Sequence, residues 1–598
     1  MQWFPDRISK NNALGLNGQD RIDLIDRVVN GLRRGIATGV SIGRPTLIAG
    51  LVLAACNTTD SLPLQQHTAA INTQAIATTD MAVATPEAAV LSAGITRIAE
   101  VFFRHISLQD MTLDGLNALA RLDKDIAFAA TDDWVSVSHN GRIFYQIETP
   151  GAEEAERWAQ VATLALDAAR QKSQKLSGVD RELVLETMFD AMTSRLDRFS
   201  RYASASNGSK ERRMREGFGG VGLAFEHTDG QFIVRSIFPD GPAFHAGLEV
   251  GDIISRIDGK EVADLTLTQV RDKLRGRVGS FVMVDVLRGG QSVEDMSLLR
   301  ERVISNTVVG RIEDNIGIVT IERFNAATEA HVRSAIAVIQ HRLGDNLRGV
   351  VLDLRNNPGG LLEQAVSVSD LFIKRGRIIR TAGRHPESFQ SFSADDLDIL
   401  NGAPIVVLVN GGSASAAEVV AAALQESGRA VVVGSASYGK GSVQTVTRLP
   451  NDGELFVTWS EIFTPDGHGL HDVGILPNIC TSQGELRRAG TTGPLLTDVL
   501  QRAKPTRMIW HDHLQYENHE VKPNHELVVN IASAGRKACP PNSEAATEDQ
   551  EIAKLLINSP SLIAEISSGS SSTVASRNTG DSIQSASTTG IIVNQLKQ

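Results

Sequence analysis

The chain has 598 residues, with 59 lysines and arginines against 70 aspartates and glutamates, a net charge of −11. That length exceeds what one core sustains, so several domains are expected, and the acidic balance leaves no basic stripe to displace counterions from nucleic acid. The 42% apolar and 22% charged content is ordinary for a soluble globular protein, and three cysteines are too few for a disulfide scaffold or a paired Cys-x-x-Cys zinc site.

Leu47 to Ala55 is an apolar run too short to span a bilayer, preceded by Arg33, Arg34 and Arg44. It ends Leu53-Ala54-Ala55-Cys56, which resembles the bacterial lipoprotein box, whose cysteine is lipidated. Residues 1–56 therefore read as a lipoprotein-type signal peptide, and a periplasmic protein anchored through Cys56 is expected. Asn57 is not the aspartate that usually retains lipoproteins at the inner membrane, which favours the outer one. Residues 57–89, rich in Thr, Ala and Gln, read as a flexible tether.

Residues 90–212 show helical periodicity: Ile95, Ile98, Val101 and Phe102 share one face, as do Leu183, Leu185, Met188, Ala191 and Met192. A short hairpin is predicted over Val135 to Ile147, turning at Asn140-Gly141. No catalytic constellation is visible in this helical N-terminal domain.

Residues 213–300 change character. A glycine loop, Gly219-Gly220-Val221-Gly222-Leu223, enters a strand, followed by Gly241-Pro242-Ala243, Ala246-Gly247-Leu248, Gly251-Asp252 and an Ile257-Asp258-Gly259 turn. An amphipathic helix is predicted over Leu267 to Leu274. Such a loop lets consecutive N–H groups converge on a carboxylate, and the strand after it can accept an extended chain at its edge. Gly220, Val221, Gly222 and Leu223 are the predicted peptide-binding residues. The segment resembles a PDZ domain over its full length.

Residues 301–503 read as α/β. Strands are predicted at Ile316 to Ile321, Gly349 to Leu354, Ile405 to Val409 and Ala430 to Val433, and helices at Ala327 to Leu343, Leu361 to Ile373 and Ala416 to Glu426. This alternation implies a largely parallel sheet with crossover helices. Gly453 to Thr458 and Ile462 are strand-like. The signal weakens over residues 504–566, where Asp549 to Ile557 is helix-forming, and residues 567–598 read as a disordered tail.

The chemistry gathers between Pro404 and Thr445. Ser413 and Ser415 both lie at a turn before a helix, where N–H dipoles favour negative charge. No histidine falls between Arg384 and Gly467, and His385 and His468 sit in polar loop sequence. The base candidate is Lys440, placed by the sequence at the end of an apolar strand, where desolvation would supply the neutral amine of a Ser-Lys pair. Gln444 could orient it by accepting a hydrogen bond. On the residues alone, both serines stand.

NGGSASAAEVVAAALQESGRAVVVGSASYGKGSVQ at 410–444 and VVLDLRNNPGGLLEQAV at 350–366, with the PDZ-like segment upstream, resemble the carboxyl-terminal processing proteases of the S41 serine peptidases. The resemblance covers about 180–500. It implies a multidomain α/β architecture: a crotonase/ClpP-like protease core, an inserted-type β-rich PDZ domain and the helical N-terminal domain. It implies Ser415 as nucleophile, Lys440 as base, Gln444 as its orienting partner, and the N–H groups of Gly360 and Ala416 as the oxyanion hole. The family's SASASE block and helix-end aspartate are replaced by Ala417 and Glu426. Protein tails are the implied substrates, an adaptor lipoprotein is a further candidate partner, and no cofactor is implied.

Two rival readings share these features: a PDZ scaffold with a dead protease core, and a crotonase-like acyl-CoA enzyme. The intact Ser415, Lys440 and Gln444 set argues against the first, and the PDZ segment and lipoprotein signal against the second. His511, His513, His519 and His525 lack ligand spacing and read as polar loop, so no metal is expected. Cys480 and Cys539 could pair in an oxidising compartment.

Overall fold

Three strands in the computed structural model are buried at every position: Gly349–Asp353, Ile405–Val409 and Val431–Gly434. Continuous apolar strands of this kind need cover on both faces. The structure describes residues 85–238, 241–482, 516–517, 520–521, 533–544 and 546–568. Cys56, the signal and tether up to residue 84, the histidines between 511 and 525 and the tail beyond residue 568 lie outside the described residues.

The core sheet is built from β1 (Val308–Glu313), β2 (Ile316–Ile321), β3 (Gly349–Asp353), β4 (Ile405–Val409), β5 (Val431–Gly434) and β6 (Ile479–Cys480), hydrogen-bonded in that order. β1 pairs antiparallel with β2, and every other pairing is parallel. One face is covered by the helices Thr328–Leu343, Leu362–Asp370 and Ala416–Glu426, whose apolar residues share a core with Val350, Leu352, Val407 and Val432. The opposite face is covered by two C-terminal helices, Thr547–Ile557 and Pro560–Ser568. Ile552, Leu556 and Ile557 there meet Ile318, Val351, Val406, Leu408 and Val433. The first lies where a helix was expected. The second was not anticipated, and it carries helix to Ser568, past the predicted start of the tail.

A second sheet runs Gln390–Ser393, Arg377–Ala382, Glu454–Phe463, Ser442–Arg448, with Arg201–Ala203 added to Glu454–Phe463. Glu454–Phe463 is one ten-residue strand that bridges the gap left in the sequence reading. Ser442–Arg448, for which no strand was predicted, is its hairpin partner.

The N-terminal region contains the helices Pro86–Val101, Leu108–Ala118, Ala155–Lys172 and Arg181–Ser194. With them goes a three-stranded sheet, Ile126–Ala130, Trp134–His139 and Arg142–Glu148. The last two strands form the expected hairpin, with Asn140 and Gly141 both at positive φ, as a tight two-residue turn requires. Leu455 and Val457 of the second sheet, with Leu449 in the hairpin turn before them, belong to this region's hydrophobic core. The N-terminal helices are therefore fastened to the strands that follow Lys440.

Between them lies a β-rich unit whose sheet order is Gln291–Leu299, Phe281–Arg288, Ile253–Ile257, Gln231–Ile237, Leu223–Thr228. Leu223–Thr228 is thus an edge strand. The helix Leu267–Leu274 matches its predicted bounds and starts with a Thr266–Gln269 capping box.

The C-terminal helix that covers the sheet should contribute substantially to stability. Leu556 is fully buried, so Leu556→Ala is expected to lower unfolding free energy by about 2–5 kcal/mol, measured by denaturant titration. An unchanged midpoint would show that this helix does not seal the sheet.

Candidate active site

Three loops meet at the C-terminal ends of the parallel strands, where ligands bind in open α/β sheets. The first, Asn356 to Gly360, follows β3; the second, Asn410 to Ser415, follows β4; the third, Ser435 to Lys440, follows β5. Side-chain and backbone bonds lock them together. Asn356 N–H donates to Asn410 Oδ1 (2.8 Å), and Asn410 Nδ2 donates back to Asn356 Oδ1 (3.0 Å). Ala414 N–H reaches Asn357 O (2.9 Å), and Tyr438 N–H reaches Ser413 O (2.9 Å).

The two serines differ sharply in this frame. Ser413 is fully buried: its Oγ donates to Leu354 O (2.8 Å) and accepts from Asn410 N–H (2.9 Å). It is a brace between two loops, with its hydroxyl consumed. Ser415 is half-buried, with φ 54° and ψ −115° at the head of the helix Ala416–Glu426. Strain of this kind costs about 1–3 kcal/mol, persists only where the surroundings over-determine it, and clusters at functional sites.

Beside Ser415, the Gly359-Gly360 turn comes as close as a backbone can. A side chain on Gly359, which has φ 97°, would fall 2.8 Å from Ser415 Cβ and 3.1 Å from Ala416 N. Neither Gly360 N–H nor Ala416 N–H has an acceptor among the described residues. Two orphan donors therefore flank the serine.

Lys440 lies in the third loop, six residues beyond the end of β5 at Gly434. The expectation that it ends an apolar strand is corrected: loop burial, not the strand, desolvates it. That burial, followed by the charge of Arg201, pushes its pKa below the ordinary 10.5, against the opposing pull of Glu418 and Asp197. Its Nζ sits 5.1 Å from the centre of the Phe199 ring, whose edge meets His471. His471 and Asp472 flank the same loop, with Asp472 N–H donating to Gly439 O (3.0 Å).

Gln444 donates through Nε2 to Ser442 Oγ (2.9 Å) and Thr458 Oγ1 (3.1 Å). No hydrogen bond joins it to Lys440, and none joins Ser415 to Lys440. Its Oε1 remains an acceptor without a partner among the described residues.

The group that unites the site is one the sequence reading passed over as part of a helix. Glu418 is fully buried, and its carboxylate accepts from Ser415 N–H (2.7 Å), Lys440 N–H (2.9 Å), Gly439 N–H (2.6 Å) and Ser437 Oγ (2.5 Å). Ser415 and Lys440 share the same oxygen, Oε2, so one carboxylate fixes both backbones. Burial pushes the Glu418 pKa up, and these four donors oppose it. Phe199 and Arg201, also missed, come from the N-terminal region, which showed no catalytic pattern. Only the S-x-x-E spacing of a capping box at Ser415 could have signalled Glu418.

In the β-rich unit, the carbonyls of the glycine loop are turned inward: Gly219 O accepts from Gly276 N–H, Val221 O from Ala243 N–H and Gly222 O from Phe238 N–H. The N–H groups of Val221 and Gly222 have no acceptor among the described residues, and Leu223 opens the edge strand. Gly220 is held in a short pairing with Glu301. Cys480 and Cys539 are disulfide-bonded, with Cα atoms 5.8 Å apart. Among the described residues, no cluster of His, Cys, Asp and Glu could hold a metal, and no helix is long and apolar enough to cross a membrane.

Residues 315–481 match the family model of Peptidase family S41, and residues 219–295 match that of the PDZ domain. A carboxy-terminal-processing protease of Bartonella bacilliformis is 37% identical over 333 residues, 55% of this chain and 77% of that protein. A probable CtpA-like serine protease of Staphylococcus haemolyticus is 36% identical over 263 residues, 44% of this chain and 52% of that one. The solved structure of a photosystem II D1 C-terminal processing protease is 28% identical, covering 62% of this chain and 92% of its own, with a TM-score of 0.31. The two family models and the Bartonella relative define the class: a serine peptidase with a PDZ domain. The chain belongs to the S41 family, among its carboxy-terminal-processing proteases.

If Glu418 holds the loops in register, Glu418→Gln, which turns an acceptor into a donor facing donors, should lower peptidase kcat/KM by about 10- to 100-fold while the chain stays folded by circular dichroism. Wild-type turnover would show that the loops hold without it.

Proposed function

We propose that the chain is a serine endopeptidase that captures unstructured protein C-termini in its PDZ domain and cleaves them through a Ser415–Lys440 acyl-enzyme. The observation that carries this reading is the pairing of a strained Ser415, whose hydroxyl caps its own helix and donates to no described group, with two orphan N–H groups, while Glu418 ties its backbone to that of Lys440. In the first step, neutral Lys440 Nζ takes the Ser415 Oγ proton as Oγ attacks the peptide carbonyl. Gly360 and Ala416 N–H stabilise the oxyanion. The lysine ammonium then returns the proton to the leaving amine. In the second step, neutral Lys440 Nζ takes a proton from water as it attacks the acyl carbon, and the ammonium then returns that proton to Ser415 Oγ as the acyl–oxygen bond breaks, freeing the acid product and restoring both residues. Gln444, with Oε1 free, suits the role of acceptor from the ammonium.

The tail's carboxylate would be met by Val221 and Gly222 N–H, and its chain would pair with the Leu223–Thr228 edge. The same reading includes a crotonase/ClpP-like core and a helical N-terminal domain around it. Attachment to a periplasmic membrane face through Cys56 is also part of the proposal, supported by the Leu47-to-Cys56 pattern.

Ser415→Ala and Lys440→Ala should each abolish cleavage of an unfolded, apolar-tailed protein, by similar factors and with no further loss in the double variant, because the two act as a unit. Substantial turnover by Ser415→Ala would contradict the mechanism.

The pH profile gives a separate check. The lysine must be neutral, so activity rises with pH along a limb below the ordinary lysine value of 10.5. Arg201 is one cause of that depression, so Arg201→Gln should raise the lysine's pKa and move the limb to higher pH. A limb that stays in place or moves lower would assign it to another group.

A further inference from the structure

The S41 match ends at residue 481, yet residues beyond it touch two of the three catalytic loops. Gly411 N–H donates to Asn542 O (2.8 Å), and Asn410 Nδ2 to Ser543 O (3.2 Å), behind the serine loop. Asn542 N–H donates to Ser435 Oγ (3.0 Å), which donates back to Asn542 O (3.1 Å) at the start of the lysine loop. Arg536 reaches furthest. Its Nη1 donates to Ser437 O (2.8 Å) and Val473 O (3.2 Å), and its Nη2 lies 3.5 Å from Tyr438 O. These carbonyls belong to the residues just before Gly439 and Lys440 and to the segment that runs beside them.

The crowding at Gly474 shows how close this guanidinium comes to the tying carboxylate. A side chain there would lie 2.7 Å from Ser437 Oγ, 3.1 Å from Arg536 Nη1 and 3.1 Å from Glu418 Oε1. Three side chains from three parts of the chain thus converge on one glycine. Glu418 holds the lysine loop by its N–H groups from within, and Arg536 holds the same loop by its carbonyls from outside. The Cys480–Cys539 disulfide fastens the arginine's segment to β6, three residues from Arg536.

We propose that residues 533–544 form part of the catalytic centre, with Arg536 a positioning residue that fixes the loop carrying Lys440. This rests on the Ser415–Lys440 reading above. Arg536 touches neither substrate nor the reacting atoms; it acts through the loop backbone. Without it, the loop relaxes, water gains access to Lys440, and the balance among Arg201, Asp197, Glu418, His471 and Asp472 around the amine changes.

The test uses the full chain and an unstructured peptide with an apolar C-terminus. Arg536→Ala should lower kcat about 10- to 100-fold with KM within about twofold. It should also shift the activity limb to higher pH as Lys440 regains solvent, and Arg536→Lys should recover part of both. Replacing both Cys480 and Cys539 by Ser should move kcat in the same direction. Lys554→Ala, on the same extension but away from the loops, removes an ion pair to Glu313 of β1 (2.6 Å) and should leave both unchanged. If Arg536→Ala does not fold, Arg536→Gln carries the test, with an intermediate loss and the same direction of limb shift. Wild-type kcat and an unmoved limb in the folded arginine variants, with Ser415→Ala inactive, would overturn this inference alone. Activity in Ser415→Ala would overturn the reading beneath it.

Discussion

A single buried carboxylate sets the geometry on which the site depends. Glu418 takes four hydrogen-bond donors from two loops and places the backbones of Ser415 and Lys440 on one oxygen atom. A carboxylate buried without donors would be costly, and backbone N–H groups buried without an acceptor would be equally so. Each side satisfies the other, which makes the arrangement cooperative and intolerant of partial loss. The strained backbone of Ser415 persists because this bond and the abutting Gly359 leave it no easier conformation.

The loops themselves are held in place by the sheet. Three parallel strands, buried on both faces, deliver their C-terminal ends to one edge; Asn356 and Asn410 stitch two of the emerging loops to each other, and Asn357 Nδ2 ties the first of them to Ile321 O at the end of β2. The cover on the second face comes from the C-terminal helices, so the region beyond the S41 match serves both stability and the site. The N-terminal helices contribute from the other side, bringing Phe199 and Arg201 against Lys440.

Much of this was legible in residue pattern. The apolar run from Ile405 to Val409 and the helix from Ala416 to Glu426 lie where the residue pattern puts them. These features depend on local preference and burial, which sequence carries directly. The choice between Ser413 and Ser415 was not legible, because both precede the same helix; it turns on which hydroxyl is consumed by Leu354 O, a contact 59 residues distant. Glu418 looked like any first-turn glutamate, and Arg536 like any charge in a polar stretch. Their roles arise from loops brought together by the fold, with no fixed spacing to reveal them. The strand before Lys440 lies where it was expected, at Val431–Gly434, but the lysine sits six residues beyond it, because burial in a loop made by several chain segments leaves no periodic trace in the sequence.

In the proposed mechanism Ser415 carries the acyl group. The most direct measurement is acid quench of the reaction with an activated ester of an apolar-tailed peptide, followed by mass mapping of the adduct. A single acyl adduct on Ser415 is expected. An adduct on Ser413, or turnover of the ester with no acylated serine at any quench time, would contradict it.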